Sequence, residues 1–328
     1  MSNQYNNLYP PTSAAGTSAM AMAMATASAS GKARPLTPMS LSTMGRTSTS
    51  TSSLSFSKGS SSGSGSKRES KDSKASVGSR KDWMQAPLPV GVTIRGREHV
   101  PQAVAVLAPA FVDNPLNTYL LNTLDPVDRR AYLPKYFTAL LMQATLNGGY
   151  IFEHSHWESC MVVLPPGKGV GNPLTLLQAG LVGLSRKVGL TCVKRMLGEF
   201  EGSAKKARKK GLSKGEVPYY VFFIGTRADR QGHGLGGALM EEVCRRAGRE
   251  GRSVWIEATS EGSARLFRRM GFVDVEEVVL GKGKVGEGGY GQVGGPGITM
   301  WTMVWRKGAS EGSVDDVAKL NELGMDHD

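Results

Sequence analysis

An apolar run, Tyr219–Thr226 (YYVFFIGT), is followed by residues 227–239 (RADRQGHGLGGAL) and then by the amphipathic spacing of residues 235–248. Glycines between a strand and a helix let successive backbone N–H groups turn toward one anion at the positive end of the helix. Such a turn binds a phosphate, and three patterns compete for it. A Walker loop is excluded, because Gly236, Gly237 and Ala238 supply neither the lysine nor the hydroxyl that it needs. The dinucleotide fingerprint G-x-G-x-x-G is matched by Gly232, Gly234 and Gly237, with Glu257 about 20 residues on as the ribose-binding acid. Against it, residues 227–231 separate the strand from the first glycine, and the 91 residues after Gly237 are too few in strand-helix units to complete a doubly wound sheet. A dinucleotide-binding oxidoreductase stays as the remote alternative. The third pattern is Gln231-x-x-Gly234-x-Gly236.

The elements that must position this loop follow from periodicity. Residues 90–97 alternate as a half-buried strand, 100–112 and 128–146 read as helices, and 150–153 with 157–164 read as a hairpin. Asp113, Asn114 and Pro115 act as a stop signal, and residues 174–200 form one or two helices broken near Gly189. Residues 205–214 (KKARKKGLSK) read as a charged, exposed linker. After the loop come a strand at 253–258, a helix at 260–270, a strand at 272–279 and a last strand at Ile298–Trp305.

Composition bounds the rest. The 328 residues are 40% hydrophobic and 21% charged, enough for one or two globular domains, and no apolar stretch reaches bilayer length. Cys160, Cys192 and Cys244 are far apart, so neither a disulfide framework nor a cysteine-based metal site is expected. Net charge is +12, but residues 1–80 hold nine basic residues against two acidic ones, so charge alone does not argue for nucleic acid. Residues 1–86, rich in Ser, Thr and Ala, are expected to be disordered, and 308–328 to form an acidic tail. The compartment is expected to be cytoplasmic, with nuclear import through the 205–210 cluster and mitochondrial import left open.

With Gln231-x-x-Gly234-x-Gly236, the strand before it, the helix after it and the ending Leu266-Phe267-Arg268-Arg269-Met270-Gly271-Phe272, the chain resembles the GNAT N-acetyltransferase superfamily. Within it the sequence looks most like the small-molecule acetyltransferases related to puromycin N-acetyltransferase. The resemblance implies a single α/β (mixed α+β) domain over residues 87–307, with a central, mostly antiparallel twisted sheet flanked by helices and splayed between the fourth and fifth strands. It implies acetyl-CoA as co-substrate, no metal, and an amine of a small molecule or peptide as acceptor, attacked directly in a ternary complex. No nucleic acid or membrane partner is expected, and the oligomeric state is open.

The resemblance also assigns residues. The amides of Gln231, Gly232, His233, Gly234, Leu235 and Gly236 would cradle the pyrophosphate, and the backbone of Ile224, Gly225 and Thr226 would pair with the pantetheine arm. A backbone N–H near Gly225 or Thr226 would stabilise the oxyanion. Glu257 is the first candidate for proton acceptor, with Glu216 and His233 as rivals. Ser263 stands where the family often has an asparagine that touches the cofactor, and Phe267 where it commonly has a tyrosine that protonates the leaving thiolate. Phenylalanine cannot donate a proton. That departure keeps alive a weak or inactive acetyltransferase that serves as a coenzyme A-binding scaffold.

Two further features are read as surface. His154 and His156 fall on one face of the hairpin by alternation, a poor metal site without a third ligand. Gly286 to Val293 (GEGGYGQV) matches a kinase glycine loop by coincidence, since no kinase motif follows; it is expected to be a hairpin tip bordering the acceptor pocket.

Overall fold

Seven strands hydrogen-bond into one sheet in the computed structural model, which describes residues 87–308. They are β1 (Val92–Arg95), β2 (Tyr150–His154), β3 (Ser159–Leu164), β4 (Tyr219–Thr226), β5 (Val254–Ala258), β6 (Val273–Leu280) and β7 (Ile298–Trp305), in the order β1-β2-β3-β4-β5-β7-β6. Neighbours are antiparallel except β4 and β5, which run parallel. The expectations placed on residues 1–86 and on the tail beyond Gly308 lie outside the described residues.

Helices cover both faces. α1 (Val100–Ala110), α2 (Pro115–Leu120) and α3 (Pro126–Leu146) follow β1; α4 (Pro173–Gln178), α5 (Leu181–Lys194), a π-helical turn (Arg195–Phe200) and α6 (Glu201–Gly211) lie between β3 and β4. α7 (Leu235–Arg249) follows β4 and α8 (Glu261–Arg269) follows β5. Caps explain several starts: Asp125 accepts from the Val127 and Asp128 amides ahead of α3, and Asn114 from those of Leu116 and Asn117 ahead of α2. Asn114-Pro115, expected only as a stop, therefore also begins a helix. Within α5, Gly189 has φ +74°, which is the break that its sequence led us to expect.

Alternation along β3 divides the core. Cys160 and Val162 pack with Leu107, Phe137 and Leu141 of the first helices, whereas Met161 and Val163 pack with Leu239 and Val243 of α7. α6 corrects the sequence reading, for residues 205–211 are helical rather than a linker. Its buried stripe is Ala204, Ala207 and Gly211, and Ala207 packs with Trp255, Val275 and Val304. A Cβ on Gly211 would lie 2.5 Å and 2.6 Å from the two methyl groups of Val275. Gly211→Ala is therefore expected to destabilise the domain by about 1–2 kcal/mol, the overpacking cost less the helix propensity gained, in a urea titration. An unchanged midpoint would show that α6 does not seat this closely.

Two loops differ from expectation. At the β2–β3 tip, Ser155, His156 and Trp157 have φ of +50°, +54° and +73°, so strand alternation stops at His154 and does not extend to His156. The tip is tethered by the Trp157 amide, which donates to Glu153 (3.1 Å). The β6–β7 loop is folded on itself through a Val285–Gly291 bridge and does not border the cavity described below. It packs on α2 instead, where a Cβ on Gly281 would meet the Tyr119 ring at 2.8 Å, while Arg129 donates to the Tyr290 hydroxyl (3.0 Å). No helix among the described residues is long and apolar enough to cross a membrane.

Candidate active site

β4 and β5 pair only from Tyr219↔Val254 to Val221↔Ile256, although β4 runs on to Thr226 and β5 to Ala258. They part at Phe222, the extra residue of a bulge: Val162 of β3 faces Phe223, and Val163 faces Val221. A bulge bends its strand and increases its twist, and here it turns the end of β4 away from β5. Gly225 accepts a hydrogen bond from the Ser159 hydroxyl (3.1 Å), and the Arg227 amide donates to Glu158 (2.9 Å). Both residues thus turn their backbone toward the β3 side, and alternation turns the N–H and C=O groups of Ile224 and Thr226 toward the gap. Gly225 has a packing reason of its own, since a Cβ there would lie 2.8 Å from Leu107 of α1.

The open edge leads to the start of α7. Gly232 and Gly234 have φ of +81° and +77°, the left-handed conformation that favours glycine. Gly234 is the N-cap and no side chain caps the helix, so the first amides of α7 remain available to an anion, and no acidic residue lies in its first turn. A Cβ on Gly236 would sit 3.5 Å from the Thr226 hydroxyl and 3.8 Å from Ile224, which places this first turn over the end of β4. Gln231 donates to the Thr226 carbonyl (3.4 Å) and ties the loop to the strand.

Gap and loop open into one cavity of about 690 Å³. The site residues expected from the sequence line it except Glu216 and His233, the latter exposed on the loop with Nδ1 3.1 Å from the Gln231 carbonyl oxygen. Glu216, the other rival for proton acceptor, lies off the cavity wall, held by Arg306 (2.8 Å) and Ser253 (2.5 Å). Ser263 lies in the first turn of α8, which Ser260 caps: the Ser263 amide donates to the Ser260 hydroxyl (3.2 Å) and the Ser263 hydroxyl donates to the Ser260 carbonyl (2.8 Å). Phe267 is 2% exposed and packs against Phe272, with centroids 5.7 Å apart.

Glu257 enters from β5 with its carboxylate already engaged. Arg208 of α6 (2.8 Å) and the Trp255 indole (2.7 Å) both donate to Oε1, and the Tyr220 hydroxyl lies close enough to feel the Glu257 charge. A carboxylate has about four acceptor directions, and these two donors occupy those of one oxygen. Burial and the Glu257 charge push the Tyr220 hydroxyl well above its ordinary range. Burial opposes the charge of Arg208, yet Glu257, Tyr220 and Glu201 together hold its guanidinium more firmly protonated than usual.

Sequence reasoning did not find Glu201, the first residue of α6, which also lines the cavity. Burial pushes its carboxyl up; Arg208 opposes the shift and Glu257 adds to it. The available signal was its spacing of seven from Arg208, which puts both on one helical face. Among the described residues, no group of three or more His, Cys, Asp or Glu is placed to hold a metal ion.

Residues 206–272, from α6 through the glycine loop to the end of α8, match the sequence model of the acetyltransferase (GNAT) family. This stretch is similar to the GNAT acetyltransferases. An uncharacterized N-acetyltransferase of Schizosaccharomyces pombe is 22% identical over 180 residues, 55% of this chain and 72% of that one. Among solved structures, the histone acetyltransferase HPA2 and related acetyltransferase from Corynebacterium glutamicum is 20% identical over 66% of this chain and 94% of its own, with a TM-score of 0.42. A polyamine N-acetyltransferase of Drosophila melanogaster is 17% identical over 66% and 99%, with a TM-score of 0.40. The matched stretch holds the glycine loop, Arg208 and Glu257, whereas Glu201, Gln143 and Phe111 of the cavity wall lie outside it.

Proposed function

We propose that this chain transfers an acetyl group from acetyl-CoA to the amine of a small molecule, by direct attack within a ternary complex. One observation carries the reading: the unpaired end of β4 lies beside the uncapped, glycine-lined start of α7, in one cavity. An amide-bearing arm can add to the edge as another strand would, while a pyrophosphate meets the first amides of the helix. Acetyl-CoA has those two parts in that order, and its thioester supplies the activated acetyl group. Gly232, Gly234 and Gly236 allow close approach, Gln231 and Leu235 frame the turn, and Ile224 and Thr226 present the pairing groups. The Thr226 N–H faces the gap where negative charge grows on the acetyl oxygen, a role that needs only a fixed amide. Glu257, held by the Trp255 indole, keeps Arg208 in place beside the acceptor.

A second reading, a coenzyme A-binding scaffold with weak turnover or none, is favoured by Phe267, whose buried ring offers no proton to a leaving thiolate. Continuous assay of thiol release from acetyl-CoA, over a panel of small amines and a lysine peptide, separates the two. Amine-dependent release supports transfer. Tight acetyl-CoA binding with no release for any amine would support the scaffold.

A further inference from the structure

Two side-chain hydrogen-bond acceptors in the cavity have no donor among the described residues. Gln143 of α3 is 0% exposed, gives its amide nitrogen to the Val170 carbonyl, and leaves Oε1 without a partner. Glu201 lines the same cavity, and no donor among the described residues hydrogen-bonds to its carboxylate. The surrounding wall is apolar, formed by Phe111, Leu140, Met196, Phe222 and Phe223. A buried polar atom left unpaired is costly, and a charged one more so, which makes both atoms ready for a ligand that brings donors.

We propose that the acceptor is an apolar primary amine, an ammonium on a hydrocarbon or aromatic body with a second hydrogen-bond donor, and that Glu201 binds the ammonium and takes up its proton. The inference rests on the acetyl-transfer reading above and deepens it. Arg208 neutralises Glu257, so Glu201 is the carboxylate left without an ion-pair partner. One ammonium completes it, whereas the further charges of a polyamine would face Phe111, Leu140 and Phe222 unpaired. Gln143 Oε1 then accepts from a hydroxyl or N–H elsewhere on the acceptor.

The proton balance fits a site without the family's tyrosine. One ammonium proton passes to Glu201 and frees the nitrogen lone pair. The C–N bond forms, the C–S bond breaks with its electron pair leaving on sulfur, and a second proton from the amine nitrogen ends on that thiolate. The products are the amide, coenzyme A as its thiol, and a protonated Glu201 that returns its proton to water. Charged and titratable groups around Glu201 are Arg208 on its own helix, Tyr220 of β4, Glu257 of β5 and Tyr136 of α3, with Arg230 and Arg269 at the loop end of the cavity. Glu201 must be ionised to act, and burial raises its pKa. The acidic limb of kcat/KM therefore lies at higher pH than an ordinary glutamate would give.

The test is calorimetric titration of the full chain with tyramine, which has one ammonium and one hydroxyl, and with spermidine, each without any acetyl donor. Tyramine is expected to bind more tightly, and Glu201→Gln to weaken it about 10- to 100-fold, the range for losing a hydrogen bond to a charged group. Since Glu201→Gln removes a partly buried charge that no donor among the described residues hydrogen-bonds, its melting temperature should not fall. With acetyl-CoA present, the acidic limb should vanish in Glu201→Gln and persist in Glu201→Asp. Equal tyramine affinity in wild type and Glu201→Gln, or tighter binding of spermidine, overturns the proposal. Glu201-dependent tyramine binding in a protein that does not bind acetyl-CoA would support the amine site and defeat the transfer reading alone.

Discussion

Gly234→Glu is expected to remove acetyl-CoA binding while the domain stays folded. Gly234 sits at φ +77° with nothing within 4 Å of the place a Cβ would take, so a side chain there meets open space rather than protein. The left-handed backbone costs a non-glycine residue about 1–2 kcal/mol, which a domain of this size survives. For an anion at the start of α7 the consequence is larger, because the new carboxylate points into the cavity that the turn lines. Two like charges about 4 Å apart near a protein surface repel by about 4 kcal/mol. Affinity should fall about 100- to 1000-fold. Circular dichroism melts of the same variant separate this from unfolding: a cooperative transition within a few degrees of wild type is expected, and retention of acetyl-CoA affinity would move the pyrophosphate elsewhere.

Arg208→Met is expected to cost about 3 kcal/mol in stability, the largest loss from any single surface-accessible side chain of α6. The guanidinium is 30% exposed, but the Glu257 side chain that it neutralises is only 5% exposed. Removing it strands a buried carboxylate with the Trp255 indole as its remaining donor, and Met keeps the aliphatic packing over the Tyr220 ring, where the guanidinium carbon now lies 4.5 Å from the centroid. Adding Glu257→Gln to Arg208→Met should restore most of the loss, since the uncompensated charge is then gone. A double variant no more stable than Arg208→Met in guanidinium titrations would show that the pair is not coupled.

The strand, turn and helix around Gln231, Gly234 and Gly236 were legible because each local signal agreed with the next: an apolar run, left-handed glycines and an amphipathic run. α6 was not, and its composition explains why. Its buried stripe is Ala204, Ala207 and Gly211, with no large apolar residue to mark a period, while Lys205, Lys206, Lys209 and Lys210 dominate the view from sequence. Missing that helix also hid the partner of Glu257. The residue was expected to face the gap as a proton acceptor, and it does line the cavity, but Arg208 reaches it from 49 positions away. Gly225 was expected only to lend its backbone to the cofactor; its need to be glycine comes from Leu107 of α1, which a Cβ would meet at 2.8 Å. At the β2–β3 tip, three consecutive non-glycine residues adopt positive φ, which no propensity announces; the Glu153 carboxylate that receives the Trp157 amide holds the turn.

The central claim is that an open strand edge and an uncapped helix start form one binding groove for acetyl-CoA. Calorimetric titration of the full chain with acetyl-CoA, with NADH titrated in parallel, tests it most directly. One acetyl-CoA bound per chain and no heat from NADH is the predicted result. A folded protein that takes up no acetyl-CoA, or that binds NADH in its place, would contradict the account.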